Sequence, residues 1–343
     1  MSKENEDLYV GIDLGTSRSS ISTSDGQRHM VESYVGWPVD MVARKVLKAP
    51  VLVGRDALEK RAMLDLYRPL ERGLLKEGSE KGQQAVRELL SYLMQQANVD
   101  GIRATGRKVR AVVGVPAEAL RVNRDHLRAA MQGFVDSLMI VSEPFAVAYG
   151  LEALLHAMVV DVGAGTTDLC VMNGRYPTED DQRTLPNAGD WVDEQLAGLL
   201  AERHPEIKVS IHTVREWKEK YSFIGEPRKP IKITVPVGGK PTKIDITREL
   251  RAACEALVPP VAETMLDLVA GVEAEFQERV RHNIILAGGS SVIPGFGEQL
   301  KTAMADYGGG DVQVVQDPVF SGSDGGLALA IDAPASDWEM LTV

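Results

Sequence analysis

Residues 158–168 read Met158-Val159-Val160-Asp161-Val162-Gly163-Ala164-Gly165-Thr166-Thr167-Asp168: an apolar run ending in aspartate, a glycine turn, then hydroxyl side chains. Leu169-Cys170-Val171-Met172 follow as a second β-like run, so the turn joins two strands. Half a chain earlier, Leu8-Tyr9-Val10-Gly11-Ile12-Asp13-Leu14-Gly15-Thr16-Ser17 repeats the device and leads into Ser20-Ile21-Ser22-Thr23.

Glycine lets backbone approach a ligand closely and adopt φ > 0, so successive N–H groups can converge on phosphate oxygens. Thr16, Ser17, Thr166 and Thr167 add hydroxyl donors. Asp13 and Asp161 stand at the strand ends beside these cradles. Two carboxylates next to phosphate repel unless a hard cation lies between, and Mg²⁺ retaining several waters suits that position. Either turn alone reads equally well as an ordinary β-hairpin; the pair can grip a nucleotide. A Rossmann fingerprint requires the glycine turn to open a helix, whereas Thr166–Val171 reads as strand. No G-x-x-x-x-G-K-[ST] run occurs.

The 343 residues suit two domains, or one fold with two lobes, and 44% hydrophobic content fills their cores. Forty-nine acidic against 38 basic residues give a net charge of −11, which disfavours non-specific nucleic-acid or anionic-membrane binding. Arg68, Arg72 and Lys76 read as a solvated helix face. The six histidines lack metal-ligand spacing, and two cysteines, Cys170 and Cys254, form no disulfide framework, which fits a reducing cytoplasm. The polar start Met1–Asp7 is unlike a signal peptide, and no apolar run approaches the roughly 18 residues of a membrane span. A soluble protein without direct membrane insertion is expected.

Periodicity predicts strands near 8–14, 18–24 and 29–33, an irregular inserted lobe around Pro38, Pro50 and Pro69, and helices near 79–97, 121–132 and 143–154. Strands near 109–113 and 138–141 lie between. The second half repeats the scheme: strands 157–162 and 168–173, helices 190–203 and 213–222, strands 231–236 and 242–246. One long helical region then runs from a cap at Thr247 to about 280, followed by a strand at 284–286 and a helix at 321–331. The repeat is architectural, with little residue identity beyond the two turns.

These residues resemble the actin superfamily of ATPases over nearly the whole chain. Asp13-Leu14-Gly15-Thr16 is similar to its first phosphate motif and Asp161–Asp168 to its second. Val113-Gly114-Val115-Pro116-Ala117 and Gly322-Ser323-Asp324-Gly325-Gly326 are similar to its connecting segments, and Leu286-Ala287-Gly288-Gly289-Ser290-Ser291 to its adenosine motif. The resemblance implies an α/β actin-like ATPase fold: two RNase H-like lobes around a nucleotide cleft, each with a smaller subdomain. The first lobe would cover 1–150, with an insertion at 34–75 and the helix at 321–333 returning to it. The second would cover 151–320, with an insertion at 182–246.

Val214-Arg215-Glu216-Trp217-Lys218-Glu219-Lys220-Tyr221 is similar to the actin helix lining the adenine and ribose pocket, which puts Lys218 and Glu219 near the nucleotide. Ser142-Glu143-Pro144-Phe145-Ala146-Val147-Ala148-Tyr149 is similar to the bacterial-actin segment that supplies a catalytic glutamate. The overall run, including Arg68–Gly73, looks most like the branch that organises magnetosomes, with the cell-shape branch next. The acidic start departs from the apolar N-terminal element common in that second branch.

The resemblance implies ATP/ADP and Mg²⁺ as cofactors. Asp13 and Asp161 would bind the metal through water, and Glu143 would orient or deprotonate the attacking water; read from the residues alone, Glu143 is a helix N-terminal acid facing the dipole. Gly15, Thr16, Ser17, Gly163, Ala164, Gly165, Thr166, Gly189, Asp190, Lys218, Glu219, Gly288, Gly289, Ser290 and Val292 would line the nucleotide. Asp168 is secondary and reads also as a turn cap. Asp190 and Asp193 read also as a helix N-terminal acid pair, and Val292 and Ile293 also as core. Further copies of the chain are the expected partners, with organelle-associated or filament-regulating proteins as candidates. Two classes stay open: a filament-forming ATPase, or a non-polymerising kinase or chaperone-type ATPase. The short tail beyond the last helix leaves the latter no room for a client-binding domain.

Overall fold

The computed structural model describes residues 7–71, 74–75, 80–117 and 124–341. Arg72, Gly73 and Lys76, and the first residues of the helix expected at 121–132, lie outside them. The chain divides into two compact units, one reaching Leu154 and resuming at Asp317, the other Leu155–Gln316.

Among the described residues the first unit is built on a six-stranded sheet, in the order Glu339–Met340, Ser137–Ser142, Val109–Val115, Leu8–Leu14, Arg18–Thr23, Arg28–Glu32. Leu8–Leu14 is antiparallel to Arg18–Thr23 and parallel to Val109–Val115, which is parallel to Ser137–Ser142. Leu8, Val10, Ile12 and Leu14 point into a core shared with Leu89, Leu90, Leu93 and Met94 of helix Glu80–Gln96, whose apolar residues recur at helical spacing. On the other face, helix Ser321–Asp332 comes so close that a Cβ at Gly11 would collide with the Ser323 carbonyl, and one at Gly325 with the Ala146 carbonyl. Glycine therefore sets how near this helix lies to the first strand and to helix Glu143–Gly150.

The second unit repeats the scheme. Its five strands run Gln182–Leu185, Thr167–Asn173, Leu155–Val162, Ile284–Ala287, Val312–Val314. As in the first unit, three antiparallel strands are extended by parallel ones beside the first. Met158, Val160 and Val162 pack with Leu196 and Leu200 of helix Gly189–Arg203 and Met265 of helix Val258–Ala270.

Several expectations need correction. The stretch around Pro38 and Pro50 is ordered: Val35–Pro38 pairs with Leu52–Val53 and Leu64–Tyr67, and helix Met41–Leu47 is capped by Asp40. The helical region after 246 is three helices, Thr247–Glu255, Val258–Ala270 and Gln277–Arg281. Pro259 starts a new helix there because proline fits a first turn but not a helix interior. Thr247 is not the cap. It lies inside the helix, and its N–H donates to the Asp245 carboxylate at 3.0 Å. Gln182–Leu185, expected to open an insertion, is a strand of the main sheet. Helices Val99–Arg103 and Phe296–Met304 and strand Val312–Val314 lacked a clear sequence signal.

Cys170 and Cys254 are buried free thiols, and desolvation pushes Cys254 up to about 11. Among the described residues no helix is long and apolar enough to cross a membrane.

Candidate functional site

Each unit presents a hairpin turn flanked by an aspartate, held by its own set of braces. In the first unit a Cβ at Gly15 would collide with the Arg18 carbonyl, so the turn needs glycine for close approach; φ there is not positive, contrary to expectation. Three of the turn's carbonyls are taken by residues outside it. Ser33 Oγ donates to Gly15 O at 2.7 Å, Arg68 Nη2 to Thr16 O at 3.2 Å and Ser33 N–H to Ser17 O at 2.8 Å. In a trans peptide C=O and N–H point in opposite directions. The N–H groups of Thr16, Ser17 and Arg18 therefore face away from these donors, the orientation an anion cradle requires.

Arg68 was expected on a solvated helix face. It instead follows strand Leu64–Tyr67, half-buried, with its guanidinium 5.7 Å from the centre of the Tyr34 ring. Nothing local in the sequence identifies it as a brace 52 positions away from the turn.

Asp13 lies opposite Gly114 in the parallel pairing, and Gly114 lies opposite Val141. Glu143 opens the helix that follows, and its Cγ is 3.7 Å from where a Gly114 Cβ would stand. Asp13 and Glu143 thus issue from the same carboxyl edge of the sheet. A Cβ at Gly322 would fall 2.7 Å from Asp13 Oδ2, and burial pushes the Asp13 carboxyl up to about 7. Glu143 is half-buried rather than an exposed helix-end acid.

In the second unit the carbonyls are again engaged from outside. Gly163 O accepts from Gly189 N–H and Ser290 Oγ, both at 3.1 Å; Ala164 O accepts from Asp190 N–H at 2.7 Å; Val162 O accepts from Ser290 N–H at 2.9 Å. The loop closes through Gly163 N–H to Thr166 O at 2.9 Å, and Thr167 Oγ1 donates to Asn187 O at 2.7 Å. Gly189 and Asp190 were expected to line the nucleotide. Their N–H groups are spent on the turn, so the helix start braces the cradle. Gly288 is the glycine that backbone conformation demands, at φ +81°. A Cβ there would collide with Asp161 Oδ1 and sit 2.6 Å from the Val162 carbonyl carbon.

Gly165 lies in the turn beside Thr166, and Gly289 has open space where a side chain would stand. Asp168 is buried and accepts from Thr184 Oγ1 at 2.6 Å, a link between neighbouring strands. Ile293 is core, whereas Val292 is 56% exposed. Lys218 is buried with Nζ 3.2 Å from Asp193 Oδ1, so its ammonium serves an ion pair; Glu219 is exposed. Arg215 bridges both helix-start acids, Nη2 to Asp190 Oδ1 at 2.8 Å and Nε to Asp193 Oδ2 at 2.9 Å. Burial raises the Asp193 carboxyl, opposed by Lys218 and Arg215. Arg215 was missed as a site residue, although its spacing of three from Lys218 puts both on one helix face.

The donor set fits an anionic ligand with a hard cation. A cation would offset the desolvation borne by Asp13, and carboxylate oxygens suit Mg²⁺. Among the described residues no group of three or more acidic, histidine or cysteine side chains is placed to hold a metal ion; a metal beside Asp13 or Asp161 would draw further ligands from water and phosphate.

The family model of MreB/Mbl protein matches residues 7–332. Actin-like protein MamK of Paramagnetospirillum magneticum is 38% identical over 334 residues, covering 97% of this chain and 95% of that protein. MamK of Magnetospirillum gryphiswaldense is 38% identical over 96% of this chain and 91% of its own length. Among solved structures, the MamK double helical filament matches with a TM-score of 0.91 at 38% identity, covering 96% of this chain and 100% of the other. A non-polymerising MamK mutant bound to AMPPNP matches with a TM-score of 0.73 over the same shares.

Proposed function

The chain belongs to the MreB/Mbl family of actin-like proteins and is closely related to MamK, and from that premise we propose that it is an ATPase that polymerises with ATP into cytoplasmic filaments and turns them over by hydrolysis. Magnetosome positioning, alongside the organelle membrane, is the cellular role inferred from its relatives. In this reading the chain forms two RNase H-like lobes around a nucleotide cleft. Residues 1–150 with the helix at 321–333 make one lobe, 151–320 the other, and insertions near 34–75 and within 182–246 make the smaller subdomains.

The observation that carries the proposal is the duplicated cradle: in each unit an aspartate lies at the end of the first strand beside a turn, and residues outside the turn hold three successive carbonyls there. Gly15, Thr16 and Ser17, and Ala164 to Thr166, offer N–H and hydroxyl donors to the phosphates and neutralise charge developing on the transferred phosphoryl group. Asp13 and Asp161 would hold Mg²⁺ through water, and the cation would supply positive charge to the phosphates. Glu143, half-buried at the carboxyl edge beside Asp13, orients the attacking water or takes its proton. Gly288, Gly289, Ser290 and Val292 face the adenosine, with Glu219 on the neighbouring helix.

Subunits repeat a heterologous, non-closing contact, which produces a filament rather than a closed oligomer. The family model equally covers MreB, so a cell-shape filament is the second reading. Sedimentation with Mg²⁺ and ATP, ADP or no nucleotide, with phosphate release followed in the same tubes, tests the assignment. ATP-dependent pelleting with phosphate release is expected. A protein that hydrolyses ATP and stays in the supernatant would point to a non-polymerising ATPase.

A further inference from the structure

Asp190, Asp193, Arg215 and Lys218 form a charge-balanced group in the second unit, three of its members 12% exposed or less at the side chain and Asp190 22%. The two acids stand on the first turns of helix Gly189–Arg203, and the two cations on helix Ile211–Tyr221. Backbone bonds from Gly189 and Asp190 to Gly163 and Ala164 continue the connection into the phosphate turn. A contiguous chain of hydrogen bonds and ion pairs therefore runs from the turn to the helix assigned to the nucleoside.

We propose that Asp193 and Arg215 are positioning residues that couple helix Ile211–Tyr221 to the phosphate turn, so that filling the turn orders the helix. The inference rests on the ATP-binding reading above. Buried ion pairs carry a desolvation penalty that an apolar contact would avoid, and helix Gly189–Arg203 packs Val192, Leu196 and Leu200 into the unit's apolar core. What charge adds is direction. The planar guanidinium reaches two carboxylates on successive helical turns at once, which fixes the rotation of one helix against the other; an ammonium is a point charge and cannot hold both in that fork. Asp193 in turn sets Lys218, the remaining cation on the same face.

Hydrogen exchange on the full chain, with Mg²⁺ and AMPPNP, ADP or no nucleotide, tests the coupling segment by segment. Wild type should show exchange slowed about tenfold by AMPPNP in both 162–166 and 211–221. Arg215→Lys should keep the slowing at 162–166 and lose it at 211–221, an outcome that simple helix packing does not produce. If Arg215→Lys fails to fold, the charge-balanced double variant Asp193→Asn/Arg215→Gln carries the same comparison. A wild type protected at the turn alone, or variants whose helix is protected as in wild type, would overturn the coupling. Protection of neither segment in wild type would remove the ATP-binding reading itself, a result distinguished by the silent turn.

Discussion

The two hairpins share one backbone plan and differ in what braces them. In the first, the second strand is lined with buried hydroxyls. Ser20 Oγ donates to Ser323 Oγ at 2.9 Å, Ser22 Oγ to Asp324 Oδ1 at 2.6 Å, and Arg28 reaches Asp317 and Asp324 at 2.8 and 2.7 Å. Side chains thus tie hairpin to helix Ser321–Asp332. In the second, Leu169, Cys170, Val171 and Met172 are apolar and buried, and the turn is held mainly by backbone N–H groups of Gly189 and Asp190 and by Ser290. The same cradle can therefore be supported by side-chain polarity or by main-chain geometry. The first kind of support is divided among several side chains; the second depends on where the backbone can pass.

The largest effect should fall on the main-chain support. Gly288→Ala puts a Cβ into Asp161 and the Val162 carbonyl at a left-handed φ, at a cost of about 3 kcal/mol or more. Thermal unfolding should fall sharply and nucleotide binding should be lost; a variant that melts like wild type would show that the approach is not required.

The chemistry divides the pair next. Glu143→Ala should lower phosphate release about 100-fold while nucleotide affinity stays near wild type, because the side chain acts on water rather than on the cradle. Asp161→Ala should lose metal-dependent hydrolysis in the same assay; a normal rate at physiological Mg²⁺ would refute its role.

pH sharpens the contrast from the first unit. With its folded pKa pushed by burial up to about 7 from the ordinary carboxylate value of 3.8, Asp13 keeps a proton in the native state that the unfolded chain has released. Its contribution to stability is full below about pH 4 and is lost as pH rises towards 7. Asp193, also raised by burial, acts with the same sign. The melting temperature of nucleotide-free, metal-free protein should therefore decline less steeply between pH 5 and 7 in Asp13→Asn than in wild type, and equal slopes would contradict the assignment. The smallest effect belongs to the hydroxyl seam: Ser20→Ala should cost about 1 kcal/mol in denaturant unfolding and leave hydrolysis unchanged.

Much of this was legible in one dimension. Asp13, Asp161 and the turn glycines declare themselves because hairpin, acid and glycine are contiguous, and a strand's period of two makes the flanking runs visible. Helix Glu80–Gln96 was equally plain from its apolar spacing. The three-helix stretch after 246 was misread as one because apolar periodicity continues across breaks that Pro259 and Gly271 introduce.

The sequence by itself determined the duplicated hairpin plan, the acids at the strand ends and the actin-like class, since all of these are set by residues adjacent in the chain. Only the tertiary structure decided what holds the turns. Arg68 reaches Thr16 across 52 positions, Ser290 reaches Gly163 across 127, and Arg215 reaches Asp190 across 25. It also pairs Lys218 with Asp193 and gives the N–H groups of Gly189 and Asp190 to the turn's carbonyls. The reason is that a buried polar group must find a partner wherever packing brings one, and that partner is chosen by proximity in space, which no local pattern encodes.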